Sequence, residues 1–352
     1  MRNIRNPNIP DKRVRNLKRE AVRVLLACLY KIIIHVHSTW MIIMRVTDVL
    51  RKKAVKFFYY IRKKQRVIFS YMPYAGIYKK RMVCIVYKMN VSDFHNDILT
   101  SANQKHLHIL SAQTVRCVCA IYGGRRCFQQ VEDIVRFFEN NREKNLYLAL
   151  EDANYLSKEN IETICSWKPI CVSLTWNWQN ELAGGCYSDG GLSKKGKEIV
   201  KVLTGNGIYI DCAHLNRKSF YAVADTTSLI VNTHTCLCAV HPHQRNIDDV
   251  QIRELIERKG LIGITFVGKF LSNGGASVQD VFRHIDHGVQ KFGDRWFCLG
   301  TDFNGSEDFP PNLRAYAQMD NLFDLFVKAG YPLATIRSVF FENLQNFLTK
   351  HR

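Results

Sequence analysis

The sequence predicts an α/β protein built on a (β/α)8 TIM-like barrel, and two observations support this fold class. Eight short apolar runs recur after residue 90, and amphipathic stretches lie between them, with apolar residues spaced three and four apart. Strands that alternate with helices form a parallel sheet, and eight strands close a barrel of this kind. The predicted strands are Val91–His95, Thr114–Ala120, Leu146–Glu151, Ile170–Thr175, Gly207–Cys212, Leu229–Thr233, Leu261–Phe266 and Trp296–Thr301.

The clearer amphipathic stretches are predicted to be the helices that cover this barrel. They are Val131–Asn141, Lys194–Thr204, Asp248–Arg258, Val278–Lys291 and Asn321–Lys328. A last amphipathic segment, Leu333–Lys350, follows Pro332, and we expect it to pack outside the barrel. His284 and His287 lie on one predicted helix, and we expect both side chains to face solvent.

Positive charge is concentrated at the N-terminus. The 352 residues carry a net charge of +19. Residues 1–90 hold 22 Lys and Arg against 3 Asp and Glu, whereas the rest of the chain holds 28 of each. The content of 47% hydrophobic and 23% charged residues excludes a collagen-like, coiled-coil or wholly disordered chain. We predict a basic extension at residues 1–88, poorly structured or helical, and a barrel domain at residues 89–352.

The basic extension has three interpretations. Its apolar segment Val24–Met44 is long enough to span a bilayer, but a lysine and two histidines interrupt it. The extension is a membrane anchor with basic flanks for anionic lipid, a nucleic-acid-binding arm, or a reading frame extended upstream of a start at Met82 or Met89. We favour the last. Membrane contact is therefore expected only through residues 1–88, and no nucleic-acid partner is expected.

Cysteine usage favours a reducing compartment. Twelve cysteines in 352 residues are too few for a disulfide scaffold, and most lie in apolar runs where a thiol packs as a small hydrophobe. The spacing of His234, Cys236 and Cys238 is compatible with a metal–thiolate site, but we expect the two cysteines to pack. The predicted localisation is cytoplasmic.

Residues that bind metals follow the predicted strands. His95 and Asp97 end the first strand, Glu151 the third, His214 the fifth and His234 the sixth. In a barrel, side chains at the C-terminal ends of different strands converge on one mouth. Each residue alone is compatible with a hydrogen-bonded histidine or a helix-capping acid, but the joint pattern predicts a site for divalent metal.

The spacing predicts how two ions would be shared. His95 and Asp97 are two residues apart, so both side chains point the same way from an extended strand. Glu151 has two oxygens that can bridge two ions about 3.5–4 Å apart, and His214 and His234 complete the second ion. Two ions that share a water lower its pKa. Asp302, which follows the eighth strand, is placed to take the proton from that water.

Six segments carry a family resemblance. They are Asp93-Phe94-His95-Asn96-Asp97, Leu174-Thr175-Trp176-Asn177 with Asn180-Glu181-Leu182-Ala183-Gly184-Gly185, Gly191-Leu192-Ser193 with Gly196, Asp211-Cys212-Ala213-His214-Leu215, Arg245-Asn246 with Asp248, and Gly300-Thr301-Asp302-Phe303-Asn304-Gly305. In order and spacing this set resembles the membrane (renal) dipeptidase family of zinc peptidases, within the amidohydrolase-like superfamily, in a bacterial branch with the sequence LTWN. The resemblance covers about residues 91–350.

The resemblance implies a metallo-dipeptidase with two zinc ions. It implies that His95 and Asp97 bind one zinc, that His214 and His234 bind the second, and that Glu151 bridges them. It also implies that Arg245 binds the substrate carboxylate. Asp302 is implied as the acid/base group, and dipeptides as substrates, with tolerance for a D-residue at the C-terminal position.

Trp176 is a departure from the family pattern, because many relatives have a histidine there that is thought to polarise the substrate carbonyl. An indole donates one hydrogen bond and cannot carry a proton, so substrate choice and rate are in question. Two alternatives to a dipeptidase stay open: a hydrolase of the same superfamily that acts on a lactone or cyclic amide, and a binding protein that retains metal without turnover. A homodimer is compatible with the sequence.

Overall fold

The structure is a computed structural model that describes residues 67–71, 82–86, 90–107, 115–141 and 143–350. The chain divides into two compact units, residues 1–89 and 90–352. In the first unit, β1 (Val67–Tyr71) pairs antiparallel with β2 (Met82–Val86). The apolar segment Val24–Met44 lies outside the described residues. Within the described ranges, no helix has the length and apolar character needed to cross a bilayer.

The second unit contains a closed barrel of eight parallel strands, as the sequence predicts. The strands are β3 (Val91–Asn96), β4 (Val115–Tyr122), β5 (Leu146–Glu151), β6 (Cys171–Ser173), β7 (Tyr209–Asp211), β8 (Ile230–Thr235), β9 (Ile262–Ile264) and β10 (Phe297–Leu299). Neighbours follow chain order around the barrel, and β10 closes it against β3 where Leu299 pairs with Asp93. All eight predicted strands are confirmed, and four of them, β6, β7, β9 and β10, begin later and end earlier than predicted.

Helices lie between the strands. They are α1 (Phe128–Asn141), α2 (Ile161–Ser166), α3 (Lys194–Gly205), α4 (Arg217–Ala224), α5 (Asp249–Glu257), α6 (Gly268–Leu271), α7 (Val278–Phe292), α8 (Met319–Lys328), α9 (Leu333–Arg337) and α10 (Asn343–Lys350), with a π-helical segment, Ser338–Glu342, before α10. Three 3₁₀ turns are Gln104–His106, Asp294–Trp296 and Tyr316–Gln318. The predicted helices are confirmed, whereas the sequence analysis missed α2, α4 and α6, which span too few turns to show a clear period.

The last helix closes one end of the barrel rather than packing outside it. The ring of Phe347 on α10 lies 5.4 Å from Phe94 on β3 and 5.0 Å from Tyr209 on β7, measured between ring centroids. Strands β3 and β7 are on opposite sides of an eight-stranded barrel, so one ring contacts both only from across its end. Tyr209 begins its strand, which makes this the N-terminal end. The prediction for this segment was therefore wrong, because the apolar face of α10 covers the barrel interior.

His284 is buried, so the prediction that it faces solvent was wrong. Its Nδ1 accepts a hydrogen bond from the Leu237 backbone N–H at 3.1 Å, and its Nε2 lies 3.1 Å from the Leu271 carbonyl oxygen. The first contact requires a lone pair on Nδ1, so the proton is on Nε2, which donates to Leu271. Burial lowers the pKa of His284 to about 4. This histidine joins α7 to the segments that follow β8 and β9.

We expect His284 to make the free energy of unfolding depend on pH between about 6.5 and 4. Because its pKa is lower in the folded state, the stabilisation is complete above pH 6.5 and is lost as the pH falls towards 4, by about 2–3 kcal/mol. Urea unfolding at several pH values would measure this loss. The His284→Gln variant should lose less stability over this range than the wild type does. Equal pH dependence in the two proteins would contradict the assignment.

Candidate metal centre

Five side chains from four strands meet in two groups that share Glu151. His95, Asp97 and Glu151 form one group, and Glu151, His214 and His234 form the other, with ligand atoms in each group within 4.8 Å of one another. All five are buried. The residues that the sequence analysis selected as metal ligands therefore converge, because each lies at the C-terminal end of its strand.

The two oxygens of Glu151 point to different groups. Its Oε1 lies 2.8 Å from His214 Nε2 and 3.7 Å from His234 Nε2. Its Oε2 lies 3.7 Å from His95 Nε2, which is itself 3.4 Å from Asp97 Oδ2. One carboxylate thus contacts both groups, the arrangement that a bridging ligand of two ions requires.

Hydrogen bonds on the far side of two imidazoles fix their protons. His214 Nδ1 lies 2.8 Å from Asn177 Oδ1, an atom that only accepts, so Nδ1–H donates. Thr233 donates its hydroxyl proton to Asp211 Oδ2 at 2.5 Å, so its oxygen accepts from His234 Nδ1 at 2.9 Å. Both Nε2 atoms then present lone pairs towards the centre of the site, the form in which histidine binds metal.

The donor set fits a divalent metal. The Nε2 atoms of His214 and His234 lie 2.8 Å apart, and two facing lone pairs at this distance repel unless a cation lies near them. In addition, His95 Nε2 and Asp97 Oδ1 are buried without a hydrogen-bond partner. Buried polar atoms without partners cost free energy that ligation recovers. Nitrogen and carboxylate ligands of this kind suit zinc.

The electrostatics of the site favour a cation. Burial acts to raise the pKa of Glu151, but the imidazoles of His214 and His95 beside its two oxygens hold that pKa well below its usual range, so this carboxylate is ionised. Burial, followed by the charge of Arg245, lowers the pKa of His214 to about 3 and keeps its imidazole neutral. An ionised carboxylate beside the neutral imidazoles of His214 and His234 is the protonation pattern that metal binding needs. Burial acts to lower the pKa of His95, but the carboxylates of Asp97 and Glu151 raise it above its usual value.

Asp302 lies against the first group. Burial, followed by the charge of Asp97, raises the pKa of Asp302 well above its usual range. Its backbone N–H donates to the His95 carbonyl at 3.1 Å. Asp302 and His214 both adopt positive φ angles, 64° and 69°. Such backbone costs about 1–3 kcal/mol per residue and is concentrated at functional sites.

Two motif glycines allow close approach of backbone to this site. A Cβ at Gly305 would overlap the carboxylates of Asp97 and Asp302, and a Cβ at Gly185 would overlap the backbone of Trp176 and Asn177. Any larger residue would displace these neighbours. The glycines that the resemblance singled out therefore have a packing role beside the ligands.

Trp176 lies at the wall of a cavity of about 230 Å³ above the ligands. The indole is 38% exposed, and its ring lies 5.6 Å from Tyr122 and 6.0 Å from His214 between centroids. Asp97, Glu151 and His214 line the same cavity, as does Asp302. The aromatic surface of Trp176 is thus available to a ligand that reaches the metal centre.

Arg245 is buried, so it is not a surface arginine that caps the start of α5. Its Nη2 donates to the His234 carbonyl at 3.1 Å, and its guanidinium lies over the ring of Phe270, 5.4 Å from the centroid. Its Nε is buried without a hydrogen-bond partner. Arg245 lines a second cavity, of about 210 Å³, which shares His214 with the first. The helix is capped by Asp248 instead.

The sequence analysis assigned no role to the residues that support the ligands. Asp211 accepts hydrogen bonds from the hydroxyl and backbone N–H of Thr233. Asp93 accepts hydrogen bonds from the hydroxyl and backbone N–H of Thr301, and a third from the hydroxyl of Tyr316. Both aspartates lie in the quoted motifs, but their partners are up to 223 residues away in the chain. The one sequence signal for these supporting aspartates was their position, since Asp93 lies two residues before His95 and Asp211 lies three residues before His214.

We expect Asn177 to control metal affinity through His214. Replacing it by alanine removes the acceptor for His214 Nδ1–H, and loss of such a contact typically lowers metal affinity about 10–100-fold. Asn177→Asp keeps an acceptor and should restore most of the affinity, as measured by competition with a zinc chelator. Equal affinity of Asn177→Ala and the wild type, with unchanged stability of the metal-free protein, would contradict this role.

Known proteins share this fold. Residues 85–351 match the model of the membrane dipeptidase family, peptidase family M19. Among solved structures, a metallopeptidase from Rhodobacter sphaeroides bound to a phosphinate mimic of the dipeptide L-Ala-D-Ala has a TM-score of 0.66 and 19% identity, covering 76% of this chain and 100% of that one. A family M19 metallopeptidase named dipeptidase AC has a TM-score of 0.67 and 20% identity, covering 75% and 99%.

Curated relatives match over shorter stretches. A protein of Klebsiella pneumoniae, described as uncharacterised and in the pqqA 5′ region, is 30% identical over 159 residues, which are 44% of this chain and 58% of that protein. An uncharacterised dipeptidase of Schizosaccharomyces pombe is 24% identical over 221 residues, 59% of this chain and 53% of that protein. The chain thus spans about half the length of these two relatives. Because the family model matches most of the chain, the protein belongs to the membrane dipeptidase family.

Proposed function

We propose that this protein is a metal-dependent dipeptidase that holds two zinc ions, with Glu151 bridging them. The observation that carries the proposal is the pair of ligand groups that share Glu151. The similar Rhodobacter sphaeroides structure, bound to a dipeptide mimic, supports the same class of substrate. The cavity of about 230 Å³ is smaller than the pockets of drug-sized ligands, which favours a short substrate.

In this proposal His95 and Asp97 hold one ion, and His214 and His234 hold the other. Two bound ions supply Lewis acidity towards a water and towards the peptide carbonyl. The chain supplies the fixed geometry, because each histidine is oriented by a hydrogen bond from its Nδ1. Burial excludes bulk water from this centre and strengthens its electrostatic interactions.

Asp302 is proposed to move the proton between the attacking water and the leaving amine. It lies beside Asp97 in the cavity that also holds Glu151. A carboxyl group whose pKa is raised by burial takes and returns a proton near neutral pH more readily than an exposed one. Glu151 is proposed to take part in catalysis together with Asp302, by holding the two metal ions in place as their shared ligand.

Arg245 and Trp176 are proposed to bind substrate. The unpartnered Nε of Arg245, beside His214 and His234, supports capture of the substrate's α-carboxylate, since a guanidinium forms paired hydrogen bonds with carboxylates. Trp176 offers an aromatic wall to a substrate side chain. Tolerance of a C-terminal D-residue, membership of the LTWN branch and a cytoplasmic location remain part of this proposal.

Metal content tests the proposal directly. We expect about two zinc ions per chain in the wild-type protein and hydrolysis of dipeptides that stops on treatment with a chelator and returns on addition of zinc. Glu151→Ala removes the shared ligand and should lower both the zinc count and the activity, whereas Glu162→Ala, an exposed change on α2, should alter neither. Elemental analysis of full-length protein that finds no bound metal would refute the scheme.

Replacing Trp176 should separate binding from turnover. Trp176→Ala removes apolar contact worth about 1–3 kcal/mol, so we expect KM for dipeptides to rise about tenfold or more with a smaller change in kcat. Trp178 is 62% exposed and packs on Tyr187, so Trp178→Ala is the matched control and should behave like the wild type. A fall in kcat alone for Trp176→Ala would instead place the indole at the reacting carbonyl.

A further inference from the structure

Two cationic side chains line the cavity above the metal centre and have no part in the proposed mechanism. They are Arg126 and Lys269. Arg126 follows β4, and Lys269 lies on α6 after β9, three strands away around the barrel. They therefore approach the mouth from different sides.

Lys269 is available to a ligand. Its residue is exposed, and its ammonium group lies over the ring of Phe270, 5.1 Å from the centroid. The nearby carboxylate of Asp308 accepts instead from the backbone N–H of Lys269 at 2.8 Å. The ring of Phe270 thus holds a cation at the cavity wall, and no carboxylate of the described residues forms an ion pair with it.

Arg126 is more constrained. Its Nη1 donates to the Tyr122 carbonyl at 2.9 Å, and its backbone N–H donates to the Gly123 carbonyl at 2.8 Å. These contacts keep Arg126 near the turn after β4. Arg126 adds positive potential to the cavity, but its side chain is less free to move towards a ligand than that of Lys269.

Lys269 shares an aromatic neighbour with the residue proposed to hold the substrate's α-carboxylate. Arg245 and Lys269 both lie near the ring of Phe270, at 5.4 Å and 5.1 Å from its centroid. Arg245 lines the second cavity and Lys269 the first, and both cavities include His214. Lys269 is therefore the cation of the first cavity that shares a ring with the proposed α-carboxylate site.

We propose that the preferred substrates are dipeptides whose C-terminal residue carries a side-chain carboxylate, and that Lys269 is the residue that recognises it. The inference rests on the proposed function, because it concerns the substrate class of the same site. A hydrogen bond between an ammonium and a carboxylate at a partly exposed wall raises affinity for the charged side chain over its neutral isostere.

The test compares alanyl-glutamate with alanyl-glutamine, in both C-terminal configurations, using the zinc-loaded full-length protein. These substrates have nearly the same shape and differ by one charge. We expect kcat/KM to favour the acid about tenfold, mainly through KM, and this ratio to fall as salt is raised. Lys269→Gln should bring the ratio near one, mainly by raising KM for alanyl-glutamate. Lys197→Gln, an exposed change on α3, and Arg125→Gln, beside Arg126, should keep the wild-type ratio.

Three results would overturn the inference: a wild-type ratio near one, a ratio unchanged in Lys269→Gln, or a ratio lost in Arg126→Gln but kept in Lys269→Gln. Each of these requires that dipeptides are hydrolysed. If the zinc-loaded protein hydrolyses other dipeptides but neither of these two, only the inference fails. If it hydrolyses no dipeptide of a wider panel, the proposed function itself fails, so the two failures are distinguishable.

Discussion

The carboxylate of Glu151 contacts three histidines that come from three other strands, and the rest of the site depends on this convergence. An ionised carboxylate at the closed end of a cavity is costly to bury unless cations or hydrogen-bond donors surround it. Its two oxygens meet different ligand groups, so one side chain couples both. Moving any of the four strands by one residue would turn a ligand away from the centre, which makes the register of the barrel a functional constraint.

A layer of uncharged and acidic groups orients the ligands from behind. Asn177 accepts a hydrogen bond from Nδ1 of His214, and Thr233 accepts one from Nδ1 of His234. Asp211 in turn accepts a hydrogen bond from the hydroxyl of Thr233. The backbone contributes as well, since His214 and Asp302 are held at positive φ and Gly305 leaves room for two carboxylates. The geometry of the site is therefore set by contacts that extend well beyond the ligands themselves.

The cavity above this centre combines an aromatic wall with positive charge. Trp176 and Tyr122 form one side, and Phe270 carries Lys269 on another. In the proposed function, this composition selects dipeptides by the charge and bulk of their side chains, because the peptide bond is common to all of them. The chain belongs to the membrane dipeptidase family, and the proposed substrate preference rests on these wall residues.

The sequence by itself determined the barrel and the candidate ligands, because strand-end His, Asp and Glu follow apolar runs that are local patterns. It also separated the basic extension from the neutral remainder. Only the tertiary structure decided what lies opposite each ligand. The pairing of His214 with Asn177, the burial of Arg245 and His284, and the closure of the barrel end by Phe347 all join segments far apart in the chain. Such contacts arise from packing, which leaves no periodic trace in the sequence.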